Sequence, residues 1–169
     1  MDKILGLLNI IVKKIFGFIF KIFGREYTES THEAIFQFVK FGIVGVTNTV
    51  VSYVLYVATL VGLQKANAFP KVDYLIATVV SFVLSVLWSF YWNNKMVFVV
   101  EEGQSRNIWK TLIKTYISYS FTGLFLNSVL AFFWVDIIGL SKLISPIINL
   151  LVSVPINFII NKFWAFKTK

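Results

Sequence analysis

Two ladders of serine and asparagine hold most of the polar chemistry in this sequence. Ser81, Ser85, Ser89 and Asn93 recur every four residues, and Asn149, Ser153, Asn157 and Asn161 repeat the pattern 68 positions later. On a helix of 3.6 residues per turn, that spacing keeps each ladder along one face, drifting by about 40° per step. Hydroxyls and amides both donate and accept hydrogen bonds. Such a face can bind helix to helix at close range, or it can line a groove that admits a hydrophilic group into an apolar setting. Both readings stay open on the residues alone. Two features add weight to the groove: each ladder ends beside a lysine, Lys95 or Lys162, and Pro155 frees the carbonyl of Leu151 and kinks its helix.

Other chemistry is missing. The chain has no cysteine and one histidine, His32, which excludes disulfides, thiolate metal sites and cysteine nucleophiles and leaves His32 unable to build a metal site alone. His32 lies in the polar stretch 25–33 and is expected to be solvated. There are no paired carboxylates, no Ser-His-Asp set and no Gly-rich phosphate loop, so no catalytic residue, metal site or cofactor is assigned and an enzyme is not expected. Asp73 and Asp136 are read as helix ends. A cation exporter would be expected to bury an acid, and the uncharged stretches contain none.

The elements that position the ladders follow from the gaps between charges. The chain is 57% hydrophobic and 14% charged, where a soluble domain carries roughly 25% charged residues. Between Lys40 and Lys65, Asp73 and Lys95, Lys114 and Asp136, and Lys142 and Lys162 lie uncharged stretches 41–64, 74–94, 115–135 and 143–161. Each matches the ~20 residues that a helix needs to cross hydrocarbon about 30 Å thick. Backbone polar groups find no water there, and the runs lack the strict alternation of barrel strands. The sequence therefore predicts an all-α membrane protein with four transmembrane helices, at about 41–63, 74–93, 115–136 and 143–161.

Its net charge of +8 finds its explanation in topology rather than in nucleic acid. Of the 16 basic residues, thirteen fall in the N-terminal region, the middle loop and the tail, and three (Lys65, Lys71, Lys142) fall in the other two loops. The positive-inside rule then places both termini and the middle loop in the cytoplasm. Trp88, Trp92, Trp134 and Trp164 read as interface-belt residues.

Residues 1–25 form an apolar helix with a narrow polar stripe of Asp2, Gly6, Asn9, Lys13, Gly17, Lys21 and Gly24. Lys13 and Lys14 sit mid-segment, where spanning would cost several kcal/mol. The expectation is an amphipathic interfacial helix with its lysines toward anionic lipid, then a polar link over 26–35 and the membrane domain over 36–169. A signal peptide is not expected, since no small-residue cleavage site follows.

Internal repetition organises the rest. The 68-residue offset carries on past the ladders, from Asn93-Asn94-Lys95-Met96-Val97-Phe98 to Asn161-Lys162-Phe163-Trp164-Ala165-Phe166. An offset of 75 relates the first and third helices, laying Phe41, Gly45, Asn48 and Ser52 on Tyr116, Ser120, Gly123 and Asn127. This predicts two same-orientation helical-hairpin repeats about an axis along the membrane normal.

The run Phe38-x-Lys40-Phe41-x3-Gly45-x2-Asn48-Thr49, the four-helix layout and the twin endings 93–98 and 161–166 resemble the GtrA-like family of small bacterial membrane proteins, over roughly 36–168. The resemblance implies a multi-pass protein of the bacterial cytoplasmic membrane that flips polyprenyl-phosphate-linked (undecaprenyl-phosphate-linked) monosaccharides. These would decorate teichoic acid, O-antigen or other surface polysaccharide. Its alternative is a non-transporting scaffold subunit of a membrane glycosyltransferase complex. Two departures stand out: Ser52 where family members often carry an acid, and Asn94 where a basic residue usually follows the Asn.

Such cargo has a tail that stays in the bilayer, a phosphate that pairs with cations and hydroxyls that need donors and acceptors. The substrate-binding candidates are therefore Asn48, Ser52, Ser85, Ser89, Asn93, Asn127, Ser153, Asn157 and Asn161 for the sugar, with Lys95 and Lys162 for the phosphate. For both lysines, snorkelling to the interface remains the alternative. The implied partners are the lipid-linked sugar, membrane lipids, membrane glycosyltransferases and, in a homo-oligomer, further copies of the chain.

Overall fold

The computed structural model describes residues 2–141 and 144–168, with all their side chains except those of Asp2 and Pro146. The described residues are helical, with no strand, and form α1 (Asp2–Ile22), α2 (Glu29–Lys65), α3 (Asp73–Trp92), α4 (Ile108–Ser120), α5 (Asn127–Phe132) and α6 (Ser145–Ile160). Short π-helical turns extend them at Asn93–Val97, Phe121–Leu126, Phe133–Ile137 and Asn161–Ala165. Four continuous helical stretches are long and apolar enough to cross a membrane: Glu29–Lys65, Asp73–Val97, Ile108–Ile137 and Ile147–Ala165. The first and third begin several residues before the uncharged runs, because α2 and α4 continue through their basic flanks. Lys142, which bounds the fourth predicted span, and Leu143, its first residue, lie outside the described residues. The chain divides into two compact units, Met1–Ile43 and Val44–Lys169.

In the first unit, α1 closes with a left-handed Gly24 at φ +60. Arg25 N donates to Phe20 O at 2.9 Å and Gly24 N to Lys21 O at 3.1 Å, the paired bonds that satisfy the last carbonyls of a helix ending on glycine. α2 starts at Glu29, with Thr28 Oγ1 accepting from Thr31 N at 3.2 Å, as an N-capping hydroxyl does. The polar link is thus shorter than the expected 26–35, since residues 29–35 already belong to α2.

The polar stripe of α1 packs on this segment. Lys13 Nζ donates to Glu29 at 2.9 Å, Asn9 Oδ1 bonds His32 Nε2, and Tyr27 OH bonds His32 Nδ1 at 2.9 Å. His32 is not solvated, as its polar neighbours suggested. It is 4% exposed, with both ring nitrogens partnered and its ring stacked on Phe36 at 5.9 Å. A buried imidazole is tolerated when both nitrogens find partners, and Asn9 comes from a helix 23 residues away in sequence. Ile4, Leu7, Ile11, Ile15, Phe18 and Ile22 remain exposed on α1.

The second unit inverts the pattern of a soluble core. Its buried positions include Ser81, Ser85, Ser89, Asn93, Thr111, Thr115, Ser118, Thr122, Asn149, Ser153 and Asn161. Large apolar residues such as Val50, Leu75, Val79, Ile117, Leu124 and Leu151 lie outside. Water would favour the reverse, whereas in lipid small polar residues let helices approach and the apolar surface is solvated by acyl chains. The chain is a multi-pass all-α membrane protein.

Side-chain hydrogen bonds join neighbouring spans. Between α2 and α3, Trp88 Nε1 reaches Thr47 Oγ1 at 3.4 Å and Gln64 Nε2 reaches Asp73 at 3.3 Å. Tyr116 OH on α4 donates to Val83 O on α3 at 2.7 Å. Asn149 Nδ2 on α6 donates to Asn127 O at 3.1 Å. α6 continues helically through Pro155.

Candidate functional site

The ladders meet α4 at two adjacent residues. Tyr119 OH bonds Ser89 Oγ at 2.6 Å, and Asn93 Nδ2 donates to Ser89 Oγ at 3.1 Å and to Tyr119 OH at 3.4 Å. One residue earlier, Ser118 Oγ donates to Asn157 Oδ1 at 3.0 Å, and Asn161 Nδ2 donates to Ser118 Oγ at 3.1 Å and to Asn157 Oδ1 at 2.8 Å. Asn93 and Asn161 are wholly enclosed. Ser85 and Ser153 are buried too, Ser85 Oγ donating to Phe82 O at 3.2 Å. In this structure, then, the ladder residues nearest the lysines tie α3 and α6 to α4.

The helix ends carry matching turns. Phe98 N donates to Asn93 O and Phe166 N to Asn161 O, each at 2.8 Å, so both endings close as one π-helical turn five residues long. Lys95 is exposed, its Nζ 5.5 Å from the centre of the Tyr91 ring and 5.8 Å from that of Trp92, and it donates to Tyr91 OH at 3.2 Å. Lys162 lies 5.6 Å from the Phe158 ring centre and 5.8 Å from that of Phe163. Rings under an ammonium contribute cation–π attraction and leave N–H donors free on its far side.

Arg106, from the loop before α4, joins the two endings. Its Nη1 donates to Phe166 O at 3.0 Å, and its Nη2 to Phe98 O at 2.7 Å and to Asn94 Oδ1. Partial burial lowers the guanidinium pKa from its ordinary value, but an arginine starts high enough to stay charged. Lys114 Nζ donates to Trp164 O at 2.8 Å at the same end.

Asn48 and Ser52 lie elsewhere, in a cleft of about 400 Å³ lined by Asn48, Thr49, Ser52, Tyr53, Tyr56 and Ser81. All six side chains are polar and none is charged. Asn48, Ser52 and Tyr56 continue a four-residue step along α2, and Ser81 faces them from mid-α3. Thr49 Oγ1 donates to Gly45 O at 3.1 Å and Ser81 Oγ to Thr78 O at 2.9 Å, so their lone pairs remain as acceptors. Among the described residues, Asn48 Oδ1 is buried without a hydrogen-bond partner, as are Oδ1 of Asn93, Asn127, Asn149 and Asn161. Asn127 stands apart from the cleft, beside Asn149.

The structure thus gathers the candidates into two places: Asn48 and Ser52 with Ser81 in the cleft, and Ser89, Asn93, Asn157 and Asn161 in the α4 contacts. Sequence reasoning passed over Thr49, Tyr53 and Tyr56, although one more step of four from Asn48 and Ser52 reaches Tyr56. It also passed over Thr111, Thr115, Ser118 and Thr122, the buried small face of the third helix. Arg106 was counted only as a topological charge, although it stands among lysines as one of two arginines in the chain.

No curated protein and no solved structure matches the chain. The family model described as GtrA/DPMS, transmembrane domain, matches residues 40–166. That match takes in the cleft, both ladders and both endings, and the chain belongs to the GtrA/DPMS transmembrane-domain family.

Proposed function

We propose that this chain moves a polyprenyl-phosphate-linked monosaccharide across the bacterial cytoplasmic membrane, for attachment to a surface polysaccharide such as teichoic acid or O-antigen. The observation that carries the reading is the cleft of hydroxyl and amide groups, Asn48 to Tyr56 on α2 with Ser81 on α3, within helices otherwise faced with apolar side chains. Its volume falls in the range of small-molecule sites, roughly 300–1,000 Å³. A sugar leaving water for that depth exchanges its hydration for hydrogen bonds to these groups, while its carrier stays in the acyl chains. Before the sugar enters the cleft, the phosphate pairs with Lys95 or Lys162 at the helix ends, on the side that the positive-inside rule makes cytoplasmic.

One observation favours a second reading, the scaffold subunit of a membrane glycosyltransferase complex: the bonds of Ser89, Asn93, Asn157 and Asn161 are spent on α4. Transport of a labelled polyprenyl-phosphate sugar into liposomes holding the pure protein separates the two. Acceleration over protein-free liposomes supports the flippase. Equal rates, with the protein required for glycosyl transfer by a co-reconstituted enzyme, support the scaffold.

A further inference from the structure

We propose that α1 lies flat on an anionic lipid surface, held there by a row of three lysines, Lys3, Lys14 and Lys21, that runs beside its apolar face. The inference is independent of the translocation reading.

The structure divides the polar residues of α1 into two sets. Asn9 and Lys13 bond His32 and Glu29, with Val12 buried beside them, so this part of the stripe is spent within the protein. Lys3, Lys14 and Lys21 stay exposed. On a helix of 3.6 residues per turn, their positions fall within about 20° of one line along the axis, over a length of about 27 Å. No acidic residue occurs between positions 3 and 25, and among the described residues the one ion pair is Lys13–Glu29. The row therefore keeps its charge.

Next to the row lies the apolar face, with Leu7, Ile11, Ile15 and Phe18 all exposed. A contiguous apolar surface of that kind marks a contact with lipid or protein, and the unpaired lysines along its edge select lipid with negative headgroups. Each lysine near such a surface is attracted to it, and the attraction adds along the row. The four candidate spans hold the chain at a bilayer, so α1 meets this surface at high effective concentration. The direction of the row fixes the orientation. A line parallel to the helix axis stays at one depth only when that axis lies in the membrane plane. If α1 spanned instead, Lys14 would sit about 16 Å from the level of Lys3 and about 10 Å from that of Lys21, deep in hydrocarbon. Lying flat, all three reach the headgroups.

The test uses the full chain, which has no native cysteine, in liposomes of phosphatidylcholine with phosphatidylglycerol. Spin labels are placed singly at Leu7→Cys, Ile11→Cys and Phe18→Cys, with Ser30→Cys, exposed and polar, as the control. Collisions with oxygen, which concentrates in acyl chains, are compared with collisions with a water-soluble nickel chelate. The three face positions are expected to show an oxygen-to-nickel ratio at least about fivefold above that of Ser30→Cys, and nearly the same depth as one another. Replacing Lys3, Lys14 and Lys21 together by Gln, or omitting phosphatidylglycerol, is expected to lower the ratio at all three at least about threefold. A ratio unmoved by both changes overturns the assignment to anionic lipid. Free access of nickel to the face overturns docking altogether. Shielding from both reagents means that a second copy or another protein covers the face, and a graded depth with Ile11 deepest means that α1 spans; either result overturns the proposal.

Discussion

Phe98 and Phe166 stack ring on ring at 4.6 Å between centroids, while their carbonyl oxygens accept from the two terminal nitrogens of Arg106. They occupy equivalent places 68 residues apart, each just after a π-helical turn opened by an asparagine. One planar guanidinium therefore holds both endings at once. A compact ammonium on a flexible stem cannot present the same fork. Hydrogen bonds from a charged donor contribute about 1.5–3 kcal/mol each. Arg106→Lys is expected to lose about 2 kcal/mol and Arg106→Ala more, read as a lowered thermal unfolding midpoint in detergent. An unchanged midpoint in Arg106→Ala would show that the guanidinium merely decorates the turns.

The ladder contacts and the cleft make opposite predictions for the same kind of change. Interhelix hydrogen bonds in membranes contribute about 0.6 kcal/mol on average and up to about 1.7. Asn161→Ala and Ser118→Ala should each lower stability by about 1–2 kcal/mol, and the double variant by less than their sum, because they share a bond. Ser85→Leu and Ser153→Leu force a larger side chain into buried contacts and should lower abundance. Ser52→Leu fills open cleft space instead. It should leave abundance near normal and cut surface glycosylation, as measured by lectin or antibody staining of cells. Normal glycosylation in that variant would remove the cleft from the cargo path.

How much of this was legible follows from which signals are local. Charge gaps reveal spans because hydrocarbon excludes charge along every residue of a helix, so the four crossings needed no tertiary information. Asn93 and Asn161 stood out because their spacing and endings repeat. Whether they faced cargo or another helix was not legible. That depends on Ser118 and Tyr119, which sit on a helix whose own small face, Thr111 to Thr122, is interrupted by bulky neighbours. His32 was misplaced for the same reason: polar neighbours in sequence suggest water, but its partner Asn9 lies on a different helix.

For His32 the consequence is local. Alanine there leaves Asn9 and Tyr27 without their partner in a buried contact, a loss of about 1–3 kcal/mol. His32→Ala is expected to raise amide exchange along α1 while exchange in Val44–Lys169 stays unchanged. Protection of α1 equal to wild type would mean that the Lys13–Glu29 pair and the Phe20–Tyr27 contact suffice.

Topology is tested on a clean background, since the chain has no native cysteine. The thirteen-to-three distribution of basic residues predicts the α2–α3 loop outside and the α3–α4 loop inside. Ala66→Cys, exposed in that first loop, is expected to react with an impermeant maleimide in intact cells. Ser105→Cys should react only after lysis. The reverse pattern would invert the proposed direction of cargo entry.

The lysines separate phosphate binding from anchoring. An anchor needs only positive charge that reaches the headgroups, so Lys→Gln at either position should be tolerated while eleven other inner basic residues remain. A phosphate ligand must place its donors, and both ammonium groups are steered by rings, Lys95 by Tyr91 and Trp92 and Lys162 by Phe158 and Phe163. That steering at both helix ends exceeds what topology requires. Lys95→Gln and Lys162→Gln are each expected to reduce cargo movement at least about tenfold, about 1.4 kcal/mol, with normal insertion. Lys→Arg should fall between them and wild type, because a planar guanidinium aims its donors differently. If the double Gln variant moves cargo at the wild-type rate, these ammonium groups act as anchors, and the phosphate must pair with Lys110 or Lys114 at the start of α4.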